Sequence, residues 1–439
     1  MAVDYAWGLP LVVLLIGAGV YFLIASLIAS GFKPIRTLKH TFDIIRGKFD
    51  DPNDPGEISH FQALTSALSA TIGMGNIGGV AIAISLGGPG AIFWMWVAGA
   101  VGMATKFFTC TLACFYRKKD EDGIMQGGPM YFIEVGLGKK FKPLSIMFAV
   151  FGMIGCLALF QSNQLAGLLD AHWGVNRWFT GIVSTAIVAV VILGGITRVG
   201  LVTARVVPAM VVLYFGSAMF ILLMNFQQVP ALFGSIFASA FGGEAALGGA
   251  AGVAFREVMG TGVKRAAFSN EAGIGTAAMA HGAAKTKEPV REGLVAMMGP
   301  FLDTHIVCTL TALVILSAGI GASGDGVVMT VNAFDKGIPG VGRIILAIVI
   351  TLFAVSTMIS YSYYSLKCSR YLFGKKFGDY YIYIYLISIL LAATWAQDTI
   401  INIIDTAFAM MAIPNLIGTL LLSPIVFAAL KDYYARMKI

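Results

Sequence analysis

Residues 70–91 read ATIGMGNIGGVAIAISLGGPGA. The stretch sits inside a long apolar run. Yet it holds Gly73, Gly75, Gly78 and Gly79, an asparagine at 76, and Gly-Gly-Pro-Gly at 87–90. Each glycine inside a helix costs about 1 kcal/mol relative to alanine. So weak a helix-forming stretch needs a reason.

The rest of the chain defines its surroundings. Of 439 residues, 58% are hydrophobic and 12% charged, with a mean hydropathy of +0.82. A soluble domain carries about 25% charged residues. The apolar runs last about twenty residues or more, the length of a membrane-crossing helix. A β-barrel would show alternating segments of about ten. The chain reads as an all-α integral membrane protein embedded in a lipid bilayer.

Eleven spans are expected, near 9–31, 58–86, 89–116, 143–170, 178–195, 203–226, 250–283, 293–320, 343–370, 379–396 and 400–430. Most of the 30 basic residues fall in alternate connections, among them Lys33 to Lys48, Arg117 to Lys142, Lys285 to Arg291, Lys367 to Lys376 and Lys431 to Lys438. The opposite connections hold only Arg177, Lys336 and Arg343. The positive-inside rule then places the N-terminus outside and the C-terminus in the cytoplasm, in a plasma (inner) membrane. The net charge of +7 is topology by this reading, with no nucleic-acid partner. Basic residues follow the first apolar run, which reads as an uncleaved span rather than a signal peptide. Cys110, Cys114, Cys156, Cys308 and Cys368 lie in or beside spans and form no zinc spacing.

A second span is interrupted. Residues 260–282 read GTGVKRAAFSNEAGIGTAAMAHG, with Lys264, Arg265, Asn270, Glu271 and His281 among small residues. The two interrupted spans are the second and the seventh. Each opens a set of five helices, and the sets have opposite orientation. Paired glycine-interrupted segments at matching places in two halves mark the binding site of a carrier built on inverted repeats. A broken helix frees N–H and C=O groups, which lipid cannot satisfy, so the break must be buried or line a cavity. Freed N–H groups suit an anion and freed carbonyls a cation. A zwitterion fits both. Close helix packing of the small-xxx-small kind is the competing account of Gly78 and Gly79.

Organisation follows: 1–57 as an N-terminal helix with its connection, 58–228 as the first five-helix repeat, 229–431 as an external connection with the second, and 432–439 as a tail. No HExxH, Walker A, GxSxG or Cys/His metal set occurs, so an enzyme is not expected. An ion channel would more often build its filter from identical loops of several subunits. A symporter for another small solute is the runner-up. The sequence leaves the oligomeric state unknown.

The chain resembles the alanine or glycine:cation symporters. The matching runs are SATIGMGNIGGVAIAISLGGPGAIFWMW at 69–96, QGGPMYFIEVGLG at 126–138 and FSNEAGIGTAAMAHGAAKTKEPVREGLV at 268–295. The resemblance implies a LeuT-type fold of ten core helices in two inverted repeats, with one extra N-terminal helix. It also implies uptake of alanine or glycine with Na+, or in some members H+, as coupling ion. In that frame Thr71, Gly73, Met74, Gly75 and Asn76 meet the substrate at the first break, its carboxylate on the N–H groups of 74–76. Phe268, Ser269, Asn270 and Glu271 offer oxygens to its ammonium, and Phe268 and Ile274 are apolar walls. Gln161, in LFQSNQLAG at 159–167, either reaches the substrate or ties helices together. The resemblance points to Na+ on the carbonyls of Ser69 and Ile72 and the hydroxyls of Ser356 and Thr357. A second Na+ would use Thr71, Asn76, Ser269 and Thr304. Hydroxyls bonded back to their own helix are the alternative at each of these positions. Glu271 faces the ammonium, tunes a cation site, carries a proton, or pairs with Lys264 or Arg265. Asp303, Thr304 and His305 support the site, relay protons or form a structural network.

Overall fold

The protein is described from a computed structural model covering residues 7–29, 31, 34–241, 249–319 and 326–437. Lys33 and Lys438, part of the external connection and the end of the tail lie outside these residues. In chain order the helices are α1 (Leu9–Ala29), α2 (Pro34–Ile45), α3 (His60–Thr71), α4 (Gly75–Gly87), α5 (Gly90–Phe115), α6 (Pro129–Leu137), α7 (Lys142–Gly155), α8 (Leu159–Trp173), α9 (Arg177–Ile192), α10 (Gly195–Met224), α11 (Val229–Phe241), α12 (Gly249–Asn270), α13 (Ala277–His281), α14 (Pro289–Ser317), α15 (Gly326–Gly337), α16 (Gly342–Gly378), α17 (Tyr381–Ala392) and α18 (Gln397–Met437).

Among the described residues, seven helices are long and apolar enough to cross a membrane, and the bent pair α3–α4 makes an eighth. The shorter apolar α9 and α17, with α12 continuing past its break into α13, occupy the places of the other three expected spans. The arrangement is compatible with eleven.

Both expected breaks are present. Ser59 caps α3 through a reciprocal pair with Gln62: the Gln62 N–H donates to Ser59 Oγ (3.2 Å) and the Ser59 N–H to Gln62 Oε1 (2.9 Å). The helix then stops at Ile72, whose backbone is extended (φ −72, ψ 98), and α4 resumes at an angle of 52°. Its first turn, Gly75–Gly79, is π-helical. Gly88 closes α4 in a left-handed turn (φ 63), where glycine escapes the Cβ penalty. In the seventh span α12 ends at Asn270. Glu271 takes φ 54, unusual for a residue with a side chain and costing about 1–3 kcal/mol.

Two connections carry helices that the sequence reading treats as loops. The half-exposed α11 packs on α5, where a Cβ on Gly90 would come within 2.5 Å of the Ser239 backbone. The buried α15 lies against the π-turn of α4. A Cβ on Gly78 would stand 2.9 Å from Val327 Cγ2, and Thr330 Oγ1 donates to the Ile77 carbonyl (3.2 Å). Gly78 therefore serves helix packing. The expected fourth span is interrupted at 156–158, between α7 and α8. A two-residue hairpin, β1 (Lys118–Lys119) with β2 (Met125–Gln126), leads into α6. There Gly127 and Gly282 touch: a Cβ on either would come within 2.9 Å of the other's Cα, which explains glycine in the QGGP run.

Candidate substrate and cation site

The two breaks face each other at the centre of the bundle. Asn76 Nδ2 donates to Ser269 Oγ (3.1 Å), and a Cβ on Gly75 would lie 3.2 Å from Ser269 Cα. Met74, Asn76, Ser269, Asn270, Glu271 and Ile274 are all fully or nearly fully buried.

At the first break the Gly73 N–H donates to Asn76 Oδ1 (2.8 Å) and the Asn76 N–H to the Gly73 carbonyl (3.1 Å). Of the three N–H groups expected to face an anion, that of Asn76 is engaged. At the second break the Glu271 N–H takes the Ala267 carbonyl (3.0 Å). The carbonyls of Phe268, Ser269 and Asn270 belong to the unpaired last turn of α12. Asn415 of α18 covers the far side, donating to the Gly273 carbonyl (2.7 Å).

Phe268 is held edge-on by Phe160 (5.3 Å between centroids) and tilted against Phe408 (5.9 Å), with the Arg265 guanidinium 5.5 Å from its ring. Gln161 is buried beside Phe160, and its Oε1 has no hydrogen-bond partner among the described residues. An unpaired buried amide oxygen next to this wall is free to accept a donor from a bound molecule.

Of the roles left open for Glu271, pairing with Lys264 or Arg265 does not occur. Both cations pair with Asp405 of α18, Lys264 Nζ at 2.8 Å and Arg265 Nη2 at 3.2 Å from Oδ2. Glu271 instead accepts from the hydroxyls of Thr276 and Tyr361. The left-handed turn at Glu271 aims its carboxylate away from the arginine, across the break to α16.

The expected Na+ residues come together in part. Thr357 Oγ1 donates to the Ser69 carbonyl (3.0 Å), and Ser69 Oγ donates to the Ser356 carbonyl (2.8 Å). A Cβ on Gly73 would stand 2.8 Å from Thr357 Oγ1, so the break, not only the helix, borders this hydroxyl. Ser356 departs from the expectation: its hydroxyl bonds back to the Phe353 carbonyl (3.0 Å) of its own helix. Thr71 likewise turns to its own Ala67 carbonyl (3.2 Å).

The other expected ligands, Asn76, Ser269 and Thr304, do converge, and their meeting point is Asp303. Its Oδ1 accepts from Asn76 Nδ2 (2.6 Å), and its Oδ2 from Ser269 Oγ (2.7 Å) and Thr304 Oγ1 (2.9 Å). Asn270 Nδ2 donates to Thr304 Oγ1 (2.9 Å). Asp303 lies in the π-helical stretch Phe301–Cys308 of α14. Widened turns of this kind gather at functional sites. His305, two residues on, is directed elsewhere, to the Pro300 carbonyl (3.4 Å). Lys106 of α5 is buried. Tyr361, Thr276 and Asn415 went unread; the polar SYSYYS stretch of α16 and an asparagine beside Pro414 in an apolar run are the signals that would have found them.

A polar group flanks the breaks toward each end of the bundle. Trp7 Nε1 donates to the Asp405 carbonyl (2.8 Å), adding α1 to the Lys264–Arg265–Asp405 group. At the other end Glu292 of α14 bridges two imidazoles: His60, which starts α3, and His281, which ends α13 (2.5 Å). Arg117 gathers the carbonyls of Gly282, Ala284, Pro55 and Thr286.

Two opened helices at the midpoint of a buried bundle define a secondary active transporter. The solved structures agree on the fold. The chain superimposes on MhsT, solved in complex with L-phenylalanine, with a TM-score of 0.60, 13% identity, 86% of this chain and 98% of that one. It superimposes on a Na+-coupled sialic acid symporter in a substrate-bound outward-open state with a TM-score of 0.52, 13% identity, 98% of this chain and 84% of that one. The particular family follows from sequence: the profile of the sodium:alanine symporter family matches residues 1–439, and the chain belongs to that family. It is 44% identical to the sodium/alanine symporter AgcS of Methanococcus maripaludis, over 98% of this chain and 95% of that protein. The protein is thus an integral membrane, cation-coupled amino-acid symporter with a LeuT-type fold, and not an enzyme.

Proposed function

We propose that this symporter carries alanine or glycine together with Na+, entering from the face where the N-terminus lies and leaving at the cytoplasmic face. The observation that carries the proposal is the meeting of the two breaks at Asn76 and Ser269, beside two oxygen-rich groups. The substrate carboxylate rests on the N–H groups of Met74 and Gly75. Its ammonium takes the carbonyls of Phe268, Ser269 and Asn270, and Gln161 Oε1 is the nearby side-chain acceptor. Phe268, fixed between Phe160 and Phe408, sets the space left for the side chain.

One Na+ lies between the Ser69 carbonyl and Thr357 Oγ1, with the Ile72 carbonyl alongside. The Thr357 hydroxyl, which now donates to the Ser69 carbonyl, would turn its hydrogen away and offer a lone pair to the ion. Because that site shares the break with the substrate, each ligand tightens the other by the same factor. A second reading, coupling to H+, is favoured by Asp303, a buried carboxylate at the same crossing that either holds a cation or carries a proton.

The test is uptake of labelled alanine into proteoliposomes under an imposed Na+ or H+ gradient, with choline as control. Accumulation under Na+ alone, with leucine competing poorly, is expected. Accumulation under H+ alone transfers the coupling to Asp303. Equal uptake in choline with neither gradient, or leucine uptake matching that of alanine, ends the proposal.

A further inference from the structure

A second recess lies away from the breaks. A cavity of about 350 Å³ opens between α1, α2, α5, α14 and α18. Its walls are almost wholly apolar, with Leu23, Leu38, Met103, Phe107, Met298 and Phe301 among them. Leu38 (43% exposed) and Phe301 (37%) also face outward and so form a mouth.

The helix at that mouth has a definite character. On α2, Ile35, Leu38 and Phe42 lie at i, i+3 and i+7 and all are exposed, Ile35 by 82%. Arg36 and Lys39 stand exposed beside them. The opposite face holds the helix to the bundle: Ile44 is buried, and His40 Nε2 pairs with Tyr433 Oη (2.7 Å). A short helix with an outward apolar stripe and basic neighbours lies in the plane of a membrane interface. Basic residues there attract anionic headgroups. The occupant of the cavity must therefore be apolar in the recess and anionic at the rim.

We propose that this cavity binds one acyl chain of an anionic membrane phospholipid, whose phosphate is held by Arg36 and Lys39. The site also touches the transport machinery. Met103 and Phe107 lie on either side of Lys106 on α5, and Phe301 begins the π-helical stretch that carries Asp303. A chain seated there braces the two helices against each other, so transport is faster with anionic lipid than without it.

Native mass spectrometry of the full chain, incubated with phosphatidylglycerol or phosphatidylcholine, tests the site. The wild type is expected to retain phosphatidylglycerol in preference. Ala104→Phe, which fills the recess, lowers retention about tenfold, the loss of roughly two buried methylene groups. Arg36→Gln with Lys39→Gln removes the preference while leaving retention. Equal retention by wild type and Ala104→Phe, or no headgroup preference in the wild type, overturns the proposal. If Ala104→Phe does not fold, phosphatidylglycerol with a photoreactive tail is crosslinked to the wild type. Crosslinks at Leu38, Met103 or Met298 support the site, and crosslinks confined to other helices refute it.

Discussion

Asn76 holds Asp303 and its own helix break at once: its amide nitrogen reaches Asp303 Oδ1 at 2.6 Å while its amide oxygen takes the Gly73 N–H at 2.8 Å. The side chain that shapes the first break is thereby tied to a buried carboxylate of α14. A change in the charge of Asp303 is felt directly at the N–H groups proposed for the substrate.

Asp303→Asn keeps the shape of the side chain and removes its charge. The cation concentration for half-maximal alanine uptake is expected to rise about tenfold, equivalent to about 1.4 kcal/mol. Thr357→Ala removes one hydroxyl and should cost about fivefold, with Thr357→Ser restoring it. Initial-rate uptake across a cation titration measures both. An unchanged titration curve for Asp303→Asn would take that residue out of the coupling site.

Gly75 and Gly78 separate by role. Gly75→Ala sets a methyl group 3.2 Å from Ser269 Cα, a backbone atom of the opposite break. The expected result is a raised KM for alanine. Gly78→Ala meets Val327, its Cγ2 at 2.9 Å and its backbone nitrogen at 3.4 Å, on α15 rather than at the breaks, so it should destabilise the fold by an overpacking cost of about 1–3 kcal/mol, read as a lower melting temperature, and leave KM unchanged. The reverse assignment of the two effects would refute this division.

Glu292 ties His60 to His281, and so joins the start of one interrupted span to the end of the other. Glu292→Ala leaves two buried imidazoles without their acceptor, at about 1–3 kcal/mol each. Hydrogen exchange over 60–66 and 277–284 should then accelerate while α9 and α17 keep their protection. Exchange that rises uniformly, or not at all, argues against a local latch.

Burial, reinforced by Arg291 and Lys48 against the opposing pull of Asp43, holds the His40 imidazole below its ordinary value of about 6.5. The neutral ring is the docked form. Its contribution is complete above about 6.5 and is lost as pH falls toward the lower docked value. The protection of α2 amides, taken relative to their intrinsic exchange rates, should therefore fall between about pH 7.5 and pH 5.5, and His40→Gln should flatten that change. A wild-type profile without pH dependence contradicts the reading.

The breaks were legible because their cause is local: glycine clusters and an isolated carboxylate disobey the rules of an apolar span. The first cation group came from the family resemblance instead, since Ser69 and Thr357 lie inside unbroken helices that nothing local marks out. What escaped depends on contacts between distant segments. Asp405 claims Lys264 and Arg265 from more than one hundred residues away, as the sequence separation of 140 records. Thr71 turns to its own helix, and Asp303, carried on a π-turn that side-chain periodicity does not reveal, takes the centre of the second group. The helices α11 and α15 were missed because short apolar stretches between spans look like connections until a partner helix is known.

The two π-turns have a mechanical consequence. An α-helix advances about 100° per residue, and a π-turn holds one residue more than its neighbours need. Gly75–Gly79 and Phe301–Cys308 are therefore stores of slack placed side by side, joined through Asn76 and Asp303. Moving such a turn along its helix rotates the intervening side chains like a travelling crease, without unwinding either end. Asn76 and Asp303 fasten the two creases to each other, so neither can travel without straining its partner.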